Sequence, residues 1–269
     1  MSIKYFVFVL LLSVSCREYK ETGKKTLEQE VVKGHHNEKL NVQKEEKLKK
    51  DIKIIEIGYQ EKLDNLPHFR LDSISEAEYS RFPSNKSFKE VNVESDKDFF
   101  YIQGAIKKFK FKKYRDYKGE ESWSGFEFMG YCGSLSLVAV RESSTADHLG
   151  FSELQLLDTS NDFQYKIISL GDSSVSVPEL SPDGKLMVYF QNPEYELGTL
   201  SIVVLKVNGK TDPTGFLTEY KSSFSEGKDS IEEIKWLNDN TFYIKTSQSA
   251  GFNESGQELK YYSYYKAEI

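Results

Sequence analysis

The sequence predicts a mainly β fold built from antiparallel, four-stranded meander units. Three observations carry that prediction. Residues 51–269 are rich in Tyr, Phe, Val and Ile and are broken at short intervals by Gly, Asn, Asp, Ser and Pro, which is the composition of strands separated by tight turns. A turn of explicit chemistry, Ser181-Pro182-Asp183-Gly184, stands between two apolar runs in VSVPELSPDGKLMVYF. Similar hairpins surround Cys132 to Ser134 and Asn238 to Asn240, so turns recur near 133, 183 and 239, the mark of a repeated unit.

The elements follow in order. SISEAEYSRF (73–82) is the one segment that reads as helix: Ser75 is the N-cap, Glu76 and Glu78 lie in the first turn, and Pro83 stops it. FKEVNVESDKDFFYIQGAI gives a weaker hairpin that turns near Asp96 to Asp98. KKFKFKKYRDYK (107–118) alternates Lys with Phe and Tyr, a strand with one basic and one aromatic face. Its simplest reading is an edge strand protected by lysines. Contact with membrane headgroups or an acidic partner, and stacking on single-stranded nucleic acid, are the other uses of such a face. GFEFMGYCGSLSLVAVRESS, FSELQLLDTS and YKIISLGD then make the first clear unit. In the second, Pro182 presets φ, Asp183 accepts local hydrogen bonds and Gly184 is free to take φ > 0; LSIVVLKVNG and GFLTEYKS complete it. The third, IEEIKWLNDNTFYIKTS with LKYYSYYKAEI, is one strand short.

At ELSPDGKLMVY (179–189) the chain resembles the WD-like β-propeller repeats of periplasmic and secreted proteins. The resemblance implies a propeller-like head acting as a binding scaffold. A repeat near 50 residues suits four-stranded blades. The other two units lack the Pro-Asp-Gly core. Residues 52–94 are available as an extra blade, and a sandwich or an open stack of sheets is the alternative architecture.

The N-terminus supplies the location. Lys4 precedes an apolar run, Tyr5 to Val14, that ends at Ser13-Val14-Ser15-Cys16. The run is too short to span a bilayer, which takes roughly 20 residues, and fits a signal peptide. MSIKYFVFVLLLSVSC resembles the lipobox signal of bacterial lipoproteins, with Ser13 where leucine is usual. The resemblance implies cleavage after residue 15 and lipid attachment, palmitate-type chains included, at Cys16. It also implies a place in the cell envelope, and Arg17 rather than Asp after the cysteine points to the outer membrane. Two or three acyl chains would hold the protein where one holds only marginally. Residues 16–50 then form a lipidated, charged, flexible tether whose low apolar content cannot offset ordering entropy.

Lys4 contributes +1 and residues 17–50 a further +3, so of the chain's −6 the head (51–269) carries −10. That charge argues against nucleic acid as a partner. Cys132, the only other cysteine, lies in a strand-like setting without a nearby cationic partner and reads as a buried, inert thiol.

Catalytic signals are poor. The chain has neither Gly-x-Ser-x-Gly nor His-Glu-x-x-His, and no catalytic residue, metal ligand or cofactor beyond the covalent lipid is assigned. RESSTADHLGFSE gathers Ser143, Ser144, Asp147, His148 and Glu153 in what reads as one loop. NGKTD (208–212) reads as a hairpin turn and DTSND (158–162) as a strand-to-strand turn. The latter resembles the start of a calcium loop but has Phe163 where that loop needs glycine. Trp123, flanked by Ser and Gly in an expected loop, is the best exposed aromatic, and with Asp147 and His148 it forms the set of candidate ligand contacts. The expectation is a non-enzymatic binding or scaffold module for a protein or glycan of the cell envelope, tethered to the membrane by its lipid. The rivals are a hydrolase using two converging carboxylates and an inhibitor or immunity-type lipoprotein whose acidic head suits a basic target.

Overall fold

In the computed structural model the described residues are 53–116, 123–146, 149–171, 173–193 and 198–269. Chain order is β1 (Ile54–Ile57), α1 (Gln60–Leu63), β2 (Leu71–Ser73), α2 (Glu76–Tyr79), β3 (Glu94–Ser95), β4 (Phe99–Gln103), β5 (Lys108–Lys112) and β6 (Arg115–Asp116). It continues with β7 (Trp123–Cys132), β8 (Leu137–Ala146), β9 (Leu149–Asp158), β10 (Gln164–Ile167), β11 (Glu179–Leu180), β12 (Leu186–Gln191) and β13 (Thr199–Val207). After a 3-10 turn, Pro213–Gly215, come β14 (Leu217–Glu226), β15 (Ser230–Asn238), β16 (Thr241–Phe252) and β17 (Glu258–Glu268). Residues Lys53–Ile269 form one compact unit.

The strands make four sheets: β3-β4-β5, β1-β10-β9-β8-β7-β6, β11-β12-β13-β14, and β15-β16-β17-β2. All the neighbouring pairs are antiparallel except β1 with β10. The three expected units are therefore sheets, and the second is a four-stranded meander in sequence order. Residues 52–94 do not form a sheet of their own. β1 joins the six-stranded sheet beside β10, and β2 pairs with β17 through Ser73 and Tyr265. The third unit, one strand short in sequence, receives its fourth strand from this early segment.

Three apolar cores lie between successive sheets, and strand alternation assigns residues to them. In β12, Met187 and Tyr189 face the six-stranded sheet, whereas Leu186 and Val188 face the C-terminal sheet. β13 repeats this with Val203 and Leu205 on one side and Ile202 and Val204 on the other. Strands covered on both faces need no polar residue at alternate positions, hence the unbroken runs LMVYF and SIVVL. In β8, Leu137 and Ala139 face the central sheet while Val138 and Val140 meet Phe100, Ile102, Phe109 and Phe111 of the β3–β5 sheet. That sheet has one covered face, so β5 reads KFKFK with its phenylalanines buried and its lysines exposed.

Local chemistry sets the turns. Ser181 Oγ accepts from Leu186 N at 3.0 Å and donates to Asp183 Oδ1 at 2.8 Å, and Gly184 takes φ 74°. Asp183 N donates to Asp239 Oδ1 at 2.9 Å, which ties the second repeat's turn to the third's. The expected helix is a single turn, with Ser75 Oγ accepting from Glu78 N at 3.1 Å.

Candidate functional site

The ends of the six-stranded and central sheets frame two adjoining cavities of about 400 Å³ and 580 Å³, which share Asn192 and Pro193. Met129, Arg141 and Leu154 come from the six-stranded sheet. Ser173, Ser174 and Ser176 come from the connection before β11, and Gln191, Thr199 and Ser201 from the central sheet. Leu149, the first residue of β9, lines the larger cavity.

Side chains at the end of β12 fix this wall. Gln191 Oε1 accepts from Leu170 N at 2.7 Å and its Nε2 donates to Ser173 O at 2.8 Å. Asn192 Nδ2 donates to Ile231 O at 3.1 Å, and its Oδ1 accepts from Ile231 N at 2.7 Å. Ser176 Oγ accepts from Phe190 N at 3.0 Å. These bonds hold the loop backbone on the strand, so the wall is preorganised. Arg141 donates through Nε and Nη2 to Glu127 Oε2 at 3.0 and 2.8 Å. Two of its five donors are engaged there, and Arg141 is among the residues that line the smaller cavity.

The residues expected to contact a ligand are placed unevenly. Trp123 is the first residue of β7 rather than part of a loop, and it is half-buried. Its ring centroid lies 6.2 Å from that of Tyr114. The ring also covers Gly150, where a Cβ would stand 2.2 Å from Trp123 Cζ2, so only glycine admits this packing. By strand alternation Trp123 shares the sheet face of Glu127 and its cross-strand partner Arg141. Asp147, His148 and Cys16 lie outside the described residues. Nothing in the sequence pattern marked Arg141 or the Ser173–Ser176 wall, since their approach is set by pairings remote in the chain.

RESSTADHLGFSE is not one loop. Ser143 and Ser144 belong to β8 and Glu153 to β9, and the two strands pair antiparallel. Ser143 Oγ lies 2.9 Å from Ser152 Oγ. Glu142 and Glu153 are directly opposed. Burial, and then the charge of Glu153, holds the Glu142 carboxyl above its ordinary range. Gln155 donates to Glu142 Oε2 at 2.7 Å and Lys166 pairs with Glu153 at 2.5 Å.

DTSND is a strand-to-strand turn with an internal cation. Asp158, wholly buried, accepts from Ser160 N at 2.9 Å, Ser160 Oγ at 2.6 Å and Asn161 Nδ2 at 3.0 Å. Lys210 of NGKTD completes the site, with its Nζ 2.7 Å from Asp158 Oδ2. A lysine ammonium thus stands where a calcium reading would put the metal. Among the described residues no group of three or more His, Cys, Asp or Glu side chains is placed to hold a metal ion. Cys132 is buried, with Sγ 3.4 Å from Ser134 Oγ. No helix among the described residues is long and apolar enough to cross a membrane.

Comparison with known proteins adds no relative: no protein-family model matches the chain, and neither a curated protein nor a solved structure matches it.

Proposed function

We propose that the protein is a lipid-anchored envelope lipoprotein whose β-rich head is a binding module for a protein or glycan. The Cys16 junction and the charged segment after it support the anchor. The observation that carries the binding reading is the cleft lining. Hydroxyl and amide groups on a hydrogen-bonded wall, apolar patches from Met129, Leu154 and Phe190, and Arg141 in the lining suit a ligand rich in hydroxyls, amides or carboxylates. Four sheets in succession, the last completed by an early strand, support a propeller-like arrangement of the head.

A photo-crosslinking residue in place of Ser174, introduced into the full chain in its native cells, tests this reading. A discrete adduct that disappears when Arg141→Ala is added is the expected result. Crosslinking no greater than from the same group at Gly209, an open turn position, would overturn it. A basic enzyme in the adduct would turn the reading to the inhibitor type. The opposed Glu142 and Glu153 are the pair a hydrolase reading would use, and hydrolysis of a captured glycan that stops in Glu142→Gln would favour it.

A further inference from the structure

The β4–β5 hairpin carries a feature that the cleft does not use. Its tip is Gly104-Ala105-Ile106-Lys107, and Ile106 is 80% exposed. Single exposed aliphatics are ordinary, but this one is held out by a dedicated fastening. Asp162, buried behind the tip, accepts from Ala105 N at 2.6 Å, Ile106 N at 3.0 Å and Lys107 N at 3.2 Å. Asp162 itself takes φ 66°, a region non-glycine residues seldom adopt. A Cβ at Gly104 would lie 2.2 Å from Asp162 Oδ1, so the carboxylate reaches the turn only over glycine.

The charge around this tip opposes that of the head. Between residues 94 and 115 there are seven Lys and Arg against three Asp and Glu, whereas the head as a whole is acidic. Lys107, Lys108, Lys110 and Lys112 are exposed. Lys108 pairs with Glu94 at 2.7 Å and Lys110 lies 3.8 Å from the Phe99 ring centroid. The phenylalanines of β5 are turned away into the core with Val138 and Val140.

We propose that the β4–β5 hairpin is a membrane-contact element: Ile106 enters the acyl-chain boundary of an anionic leaflet while Lys107, Lys108, Lys110 and Lys112 lie against its headgroups. Lysine stems reach along an apolar boundary and keep their ammonium groups at the phosphates. A protein partner fits the surface less well, because protein interfaces deplete lysine, and the half-exposed rings on this face, Phe99 and Tyr101, are covered by Lys110 and Lys108. The contact needs neither the acyl chains at Cys16 nor the cleft's ligand, so its test is independent of the proposed function.

The full chain carrying Cys16→Ala and Ile106→Cys, labelled at 106 with an environment-sensitive dye, is mixed with vesicles of phosphatidylcholine alone or with added phosphatidylglycerol. Cys132 is buried and does not label. A blue shift on the anionic vesicles only is expected. Lys108→Gln, Lys110→Gln and Lys112→Gln should each weaken the apparent affinity by up to about fivefold. No shift on anionic vesicles, an equal shift from dye at Gly209→Cys, or no change in affinity in the triple variant would overturn the proposal. A shift with soluble polyglutamate in place of vesicles would also overturn it, in favour of an acidic polypeptide.

Discussion

Replacing Lys210 by Met breaks an ion pair whose acid is fully removed from solvent. The Asp158 side chain is 0% exposed and that of Lys210 is 29% exposed. Lys210 also donates to Leu135 O at 2.5 Å and to Ser160 Oγ at 3.2 Å, so it joins the six-stranded sheet to the β13–β14 connection. Removing one partner of a buried pair costs about 3–5 kcal/mol. Three donors remain on Asp158, from Ser160 N, Ser160 Oγ and Asn161 Nδ2, and water can reach the site once the ammonium is gone. The expected loss is therefore below that range, about 2–3 kcal/mol. Met keeps most of the stem, so lost packing contributes little. Urea unfolding of the full chain with Cys16→Ala, followed by tryptophan fluorescence, measures it, and the midpoint should fall without a change in slope. Asp158→Asn added to Lys210→Met should recover part of the loss, since the stranded charge is gone. A loss under about 0.5 kcal/mol, the size of an exposed pair, would refute the argument.

Two other changes probe the head. Glu219 is 1% exposed at its side chain. Burial raises its pKa, but donation from Gly58 N at 2.8 Å and the Lys62 ammonium outweigh it, and the net shift is downward. A depressed carboxyl stabilises above its unfolded value and loses that contribution as pH falls through the folded one. The stability difference between the wild type and Glu219→Gln should thus be constant near neutrality and shrink below the ordinary glutamate range of about 4.3; a difference that grows on acidification contradicts this. Gly184→Ala places a Cβ in open space but at φ 74°, so it should cost about 1–2 kcal/mol from backbone conformation alone. A neutral result in thermal unfolding would remove the left-handed turn from the account.

How far the sequence reached depends on the separation of partners. The Ser181–Gly184 turn was legible because its internal bonds lie within six residues, whereas the bond from Asp183 to Asp239 was not; β12 and β13 were legible from unbroken apolar runs. β11 is only two residues long, between Pro178 and Pro182, each lacking the N–H a ladder needs. β1 (IIEI) pairs with β10 more than a hundred residues away, and no local signal announces that pairing. Lys210 looked like a turn lysine because its partner, Asp158, belongs to the preceding sheet. The cleft was invisible for the same reason. Ser173, Ser174 and Asn192 are ordinary loop residues until Gln191 ties their segment to β12.

The anchor is the claim on which the account turns, and mass spectrometry of the mature N-terminus tests it most directly. The predicted species begins at Cys16, carries a thioether-linked diacylglyceryl group, and is absent from a Cys16→Ala variant that is no longer held by a lipid. A mature chain with an unmodified Cys16, still firmly membrane-bound after Cys16→Ala, would contradict the account.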